Sequence, residues 1–255
     1  MQNIQRKGEI NKMTQILKNM NPINIFSQKD GAKRTTFMFL SILLMGFAVS
    51  VFSYSGMGVD PFTALNMSVS AKLGISFGLY QMCVNGIVLV AVALTSKKLI
   101  NLGTIVNMVG VGYVCEFFTK IYEQFLPTEI SFPAKLIFMA LGVFLLSLSA
   151  SLYFNCNLGV SPYDALGFVM EDKIKIKYKW CRVTTDLICT AIAFAFNGPI
   201  GIGTVVTAFF MGPVIAFCDT RISEKVLNAK YKFIRHFIVI RYYDLSYIQG
   251  VSRVA

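Results

Sequence analysis

From Thr36 to Asp219 the chain alternates long apolar stretches with short polar joints. Six apolar runs can be marked, from Thr36 to Ser55, Phe77 to Thr95, Gly103 to Tyr122, Lys135 to Asn155, Trp180 to Asn197 and Ile202 to Asp219. A hydrocarbon layer about 30 Å thick takes a helix of ~20 apolar residues, and each run has roughly that length. Stretches such as FMFLSILLMGFAVSVF are apolar on every face, whereas the strands of a membrane barrel alternate apolar and polar positions. A helix satisfies its own backbone groups inside lipid. The pattern therefore predicts an all-α, polytopic membrane bundle of six transmembrane helices.

Two shorter segments follow the first and fourth runs. Asp60-Pro61 and Ser161-Pro162 read as helix starts, because an Asp or Ser oxygen caps free backbone N–H groups and proline tolerates the first helical position. The segments reach Lys72 and Asp172, about three turns at 3.6 residues per turn. That is too short to cross a bilayer. Each is either an interfacial helix or a re-entrant half-helix whose start faces a cavity, where its partial positive charge can hold an anionic group.

Composition and charge add orientation. Of 255 residues, 55% are hydrophobic and 15% charged, against about a quarter charged in a soluble domain, and the mean hydropathy is +0.60. The net charge of +11 is placed between and beyond the apolar runs, which suits membrane orientation and not a nucleic-acid partner. Arg6, Lys7, Lys12, Lys18, Lys29, Lys33 and Arg34 precede the first run, and Lys97 and Lys98 follow the second. Lys173, Lys175, Lys177 and Lys179 precede the fifth, and Arg221 and Lys225 follow the sixth. The positive-inside rule makes all these joints cytoplasmic, with both termini inside a bacterial plasma membrane. No small-residue cleavage site ends the first run, which reads as a retained helix and not a signal peptide. The organisation is then a basic cytoplasmic leader at 1–35, membrane repeats at 36–130 and 131–220, and a basic-aromatic cytoplasmic tail at 221–255. The tail holds His236 within KYKFIRHFIVIRYYDLSY, a stretch suited to an anionic leaflet.

The repeats rest on a self-match. Gly58-Val59-Asp60-Pro61-Phe62-Thr63-Ala64-Leu65 aligns with Gly159-Val160-Ser161-Pro162-Tyr163-Asp164-Ala165-Leu166, 101 residues later. The same offset sets Met38, Leu40, Leu44 and Ser50 on Met139, Leu141, Leu145 and Ser151, and Gln81 and Asn85 on Arg182 and Asp186. After a one-residue deletion, Gly103-Thr104 falls on Gly203-Thr204 and Gly112 on Gly212. A three-span unit copied once must enter the membrane from the other side, which makes the halves an inverted pair.

Polar residues at membrane depth are costly and mark candidate paths for solutes. Gln81 and Asn85 share a helix face, as do Arg182 and Asp186, which are either part of a functional polar site or an ion pair within one helix. Asp60, Pro61, Ser161, Pro162 and Asp164 stand at the short-helix starts, and Asn107, Glu116, Thr104 and Thr204 on the third and sixth runs. Glu116 is a candidate proton-titrating group, or a headgroup-level residue beside Lys120. Gly110, Gly112 and Gly212 permit close helix contact, and Pro213 should kink the last run. The six cysteines stand singly, without metal-ligand spacing, and no Walker, phosphate-loop, HExxH or GxSxG motif occurs. No enzyme activity, cofactor or metal is expected.

Where these motifs sit, the chain resembles the YczE/YyaS/YitT family of bacterial membrane proteins. The resemblance is carried by Leu158-Gly159-Val160-Ser161-Pro162-Tyr163-Asp164, Gly203-Thr204 and Gly212-Pro213, and covers about residues 36 to 220. The first half departs from the family pattern at Asp60, at Thr63 and at Tyr113. The resemblance implies six spans and a membrane location, not a cargo. The expected function is a secondary transporter or permease for a small solute, its site near mid-membrane between the halves. Alternatives are the substrate-binding membrane subunit of an energy-coupling-factor-type importer, or a non-transporting accessory protein. The expected partners are the lipid bilayer and that solute.

Overall fold

The computed structural model describes residues 31–96, 99–176 and 178–227; His236 and most of the basic leader and tail lie outside them. The regular elements among these residues are all helical: α1 (Gly31–Tyr54), α2 (Pro61–Leu73), α3 (Phe77–Thr95), α4 (Leu102–Phe125), α5 (Phe132–Cys156), α6 (Pro162–Ile174), α7 (Tyr178–Ala195), α8 (Ile202–Cys218), a π-helical turn (Asp219–Ser223) and α9 (Glu224–Leu227). α1 begins at Gly31, five residues ahead of the first apolar run, so the last part of the leader is helical. Pro213 stays inside α8.

Five helices are long and apolar enough to cross a membrane: α1, α3, α4, α5 and the continuous stretch from Ile202 to Leu227. The fifth apolar run is the exception to the six-span pattern. α7 occupies its place, but these 18 residues include Lys179, Arg182 and Asp186 and fall short of a spanning composition. The charge that removes α7 from the count is the charge that builds the site below.

Hydrogen bonds define two ends of the bundle. Arg34 Nε and Nη2 donate to the carbonyls of Cys156 and Asn157 at 2.8 and 3.1 Å, tying the start of α1 to the end of α5. Asn155 Nδ2 donates to Asp219 Oδ1 at 2.5 Å, bringing the end of α8 there too. This is called the Arg34 end. At the opposite, Tyr54 end, Tyr54 donates to the Pro127 carbonyl at 2.8 Å, joining the ends of α1 and α4. Glu116 accepts from the Gly78 N–H at 3.1 Å, adding the start of α3. α1 packs on α4 and α5 and α5 on α8, while α2 lies against α7 and α6 against α3.

Large apolar side chains cover much of the surface, while the interior holds both apolar clusters and small polar residues. Leu94, Phe125 and Phe194 are 85%, 78% and 77% exposed, a surface suited to lipid. Inside, Ser41, Ser50, Ser147 and Ser149 are buried and each hydroxyl donates to a carbonyl of its own helix. These small residues let the helices approach closely. Gly110 and Gly112 serve the same end, since a Cβ on them would strike Ile42 and the backbone of Gly78.

Candidate functional site

The site begins with two capped helix starts. Asp60 is extended and its carboxylate accepts from the Thr63 N–H at 3.1 Å, with Pro61 opening α2. Ser161 has the same conformation, accepts from the Asp164 N–H at 3.1 Å and donates to Asp164 Oδ2 at 2.6 Å, with Pro162 opening α6. The two starts meet face to face. Phe62 and Tyr163, equivalent in the self-match, stack with ring centroids 4.3 Å apart and planes 13° from parallel.

Each start is held by the other copy. Ahead of α2, the Val59 N–H donates to the Pro199 carbonyl at 3.2 Å, and the Gly203 N–H donates to Met57 at 2.8 Å. Ahead of α6, the Val160 N–H donates to Leu99 at 3.4 Å, and the Gly103 N–H donates to Leu158 at 2.8 Å. These are the same bonds, displaced by the repeat offset. Gly58 and Gly159 allow them. Their φ values are +95° and +104°, and a Cβ on either would collide with the opposing Thr204 or Thr104 hydroxyl. Thr104 and Thr204 accept from the N–H groups of Asn101 and Gly201, both at 3.2 Å. They brace the loops and do not reach the cavity.

Between the starts lies a cavity of about 130 Å³. Its wall is paired: Asp60 with Ser161, Phe62 with Tyr163, Thr63 with Asp164, Gln81 with Arg182, Met45 with Leu146, Val49 with Ala150 and Val111 with Met211. The remaining lining residues have no counterpart on the wall, and all lie toward the Arg34 end. They are Asn85 and Asn107 from the first copy, with Tyr153, Phe154, Tyr178, Gly212 and Ile215 from the second.

Arg182 organises the charge. Its Nη1 lies 2.5 Å from Asp164 Oδ1 and its Nε 3.4 Å from Asp186 Oδ2. The guanidinium carbon sits 4.3 Å from the Tyr163 ring centroid, and Tyr163 donates to Asp186 Oδ1 at 2.7 Å. The pair within α7 is therefore one arm of a larger network that includes α6. Asp60 makes no ion pair among the described residues. Gln81 Oε1 and the Tyr153 hydroxyl are buried without a hydrogen-bond partner.

Of the residues singled out in the sequence, Asp60, Gln81, Asn85, Asn107, Ser161, Asp164 and Arg182 reach the cavity wall. Asp186 stands behind Arg182, and Pro61 and Pro162 set the helix starts. Glu116 is elsewhere: it bonds Lys120 at 3.0 Å and the Gly78 N–H at the Tyr54 end. Sequence reasoning passed over Phe62, Tyr163 and Tyr153. Phe62 and Tyr163 sit inside the self-match, and that was the signal.

Comparison with known proteins shows the family. Residues 32–220 match a family model described as a family of unknown function, DUF6198. The uncharacterised membrane protein YczE of Bacillus subtilis (strain 168) is 27% identical over 185 residues, 72% of this chain and 84% of that protein. The uncharacterised protein YyaS of the same organism is 30% identical over 178 residues, 69% and 87% of the two chains. An uncharacterised protein of Haemophilus influenzae is 24% identical over 188 residues, 72% and 83% of the two. No solved structure matches. With apolar helices of spanning length and YczE and YyaS among its relatives, the chain is an integral membrane protein and belongs to the DUF6198 family.

Proposed function

We propose that this protein is a secondary transporter for a small solute, bound in the cavity between the starts of α2 and α6. On this reading the two copies are inverted repeats in a plasma membrane, α7 is the sixth crossing helix with its charges turned inward, and α2 and α6 are re-entrant half-helices. Both termini are cytoplasmic, which puts the Arg34 end inside.

One observation carries the reading: the cavity wall is built from equivalent positions of both copies, and every unmatched lining residue lies toward one end. A pseudo-twofold site leaning to one face is what an alternating-access transporter has in one of its two states. Exchanging the conformations of the copies gives the second state, in which the counterparts Phe52, Phe77 and Cys115 line the wall and Tyr153, Tyr178 and Ile215 withdraw. The near-identical cross-docking of the two loops supports small energy differences between these states.

Labelling with a membrane-impermeant maleimide tests this. With Cys115, 1% exposed here, kept as the sole cysteine, reaction is expected from the outer face of right-side-out vesicles. A sole cysteine placed by Ile215→Cys should react from the cytoplasmic face of inverted vesicles. Cys115 inert from both faces, or both positions reacting from the same face, contradicts the exchange.

A further inference from the structure

The ionisable groups around the cavity do not balance. Asp60, Asp164 and Arg182 are on the wall, and Asp186 stands behind Arg182. Three carboxylates thus face one guanidinium. Arg182 is already engaged by Asp164 at 2.5 Å, by Asp186 at 3.4 Å and by the face of Tyr163. It has little left to offer an incoming anion. The helix starts would otherwise attract one, but they are filled from within, α2 by Asp60 and α6 by Ser161. An anion drawn there meets the protein's own carboxylates.

Asp60 is the opposite case. It accepts a backbone N–H from Thr63 and has no ion pair among the described residues. A second observation points to the same ligand chemistry. Gln81, only 5% exposed, is one of the wall residues, and its Oε1, an acceptor, is buried without a partner. A buried acceptor without a donor is destabilising, and a donor-bearing ligand relieves it. The rings of Phe62 and Phe154 on the wall add faces that attract cations, while the Tyr163 ring is already engaged by Arg182 and Phe62.

We propose that the cavity binds a small organic cation, its ammonium group taken by the Asp60 carboxylate with the Gln81 side-chain carbonyl as second acceptor. This rests on reading the cavity as the solute site. It also reverses the sequence expectation of an anionic group at the half-helix starts. A bare divalent ion fits poorly. It wants six or more oxygen ligands, and the described residues hold no cluster of three His, Cys, Asp or Glu side chains in metal-binding reach. At about 10–15 Å³ per water, the 130 Å³ cavity takes a compound of roughly ten non-hydrogen atoms.

The test is thermal unfolding of the full chain in nanodiscs, with methylammonium, ethanolamine or choline chloride at millimolar levels. Sodium acetate, sodium succinate and glycerol at matched ionic strength are the comparison set. A ligand that binds the folded state raises the midpoint with concentration. At least one ammonium compound should raise it, and the carboxylates and glycerol should not. Asp60→Asn retains a side chain that caps α2 and should remove the shift, while Lys72→Ala, outside the cavity, should keep it. Should Asp60→Asn not fold, Gln81→Leu must weaken the ammonium shift. A shift from a carboxylate, an ammonium shift that survives both site variants, or no shift from any ammonium compound overturns the proposal. Failure of transport is separately visible: an ammonium compound that stabilises the protein but does not cross proteoliposomes leaves the cation site standing and removes the transporter reading.

Discussion

Arg182 is the residue on which the site depends most directly. Its side chain is 18% exposed and neutralises two carboxylates from different helices. Removing one member of a buried ion pair strands the other. Arg182→Gln is therefore expected to destabilise the protein by about 3 kcal/mol, measured by reversible unfolding in detergent. Adding Asp164→Asn should return part of that loss, because residues in one network do not add independently. Glycine at two loop positions is equally specific. Gly58→Ala and Gly159→Ala each place a Cβ against the opposing copy at positive φ. Both should destabilise clearly more than Gly56→Ala, where φ is +63° but the space is open. Equal unfolding midpoints for the three variants would remove the steric explanation.

At the level of elements, the apolar runs and the Asp-Pro and Ser-Pro starts were readable because lipid and capping each impose a strong residue preference. The fifth run reads as a spanning helix in the sequence, but α7 falls short of a spanning composition, since Arg182 and Asp186 lower its hydropathy. What could not be read was the cross-docking of the loops. It is made by backbone N–H and carbonyl groups of residues such as Met57, Leu99 and Leu158, whose side chains carry no signal of it. Glu116 reads in the sequence either as a proton carrier or as a headgroup-level residue beside Lys120, and its carboxylate bonds Lys120 and the start of α3. The braces give a prediction at this scale. Thr104→Val loses the bond from the Asn101 N–H and the bond to the Leu99 carbonyl, and Thr204→Val the bond from the Gly201 N–H. Each should cost about 1 kcal/mol, with Thr104→Val the somewhat larger loss. A large loss in one half only would show that the halves are held differently.

At the scale of the whole molecule, three features share the relation that the proposed duplication would leave. The self-match in the sequence, the reciprocal loop bonds and the paired cavity wall are related by nearly the same offset. On the proposed reading, inversion of one copy reconciles three spans per copy with cytoplasmic basic joints after the second, before the fifth and after the sixth run. The same reading accounts for α2 and α6 meeting start to start. Their far ends carry the matched left-handed caps Gly74 (φ 69°) and Lys175 (φ 63°), which on this account face opposite sides of the membrane.

The most direct test takes the equivalent exposed positions just before those caps, Lys72 and Lys173. Lys72→Cys and Lys173→Cys, each as the sole cysteine, are treated with an impermeant maleimide in intact cells and in inverted vesicles. Lys72→Cys should react in intact cells, and Lys173→Cys only in inverted vesicles. Reaction of both from the same face would contradict the inverted pair and the solute route built on it.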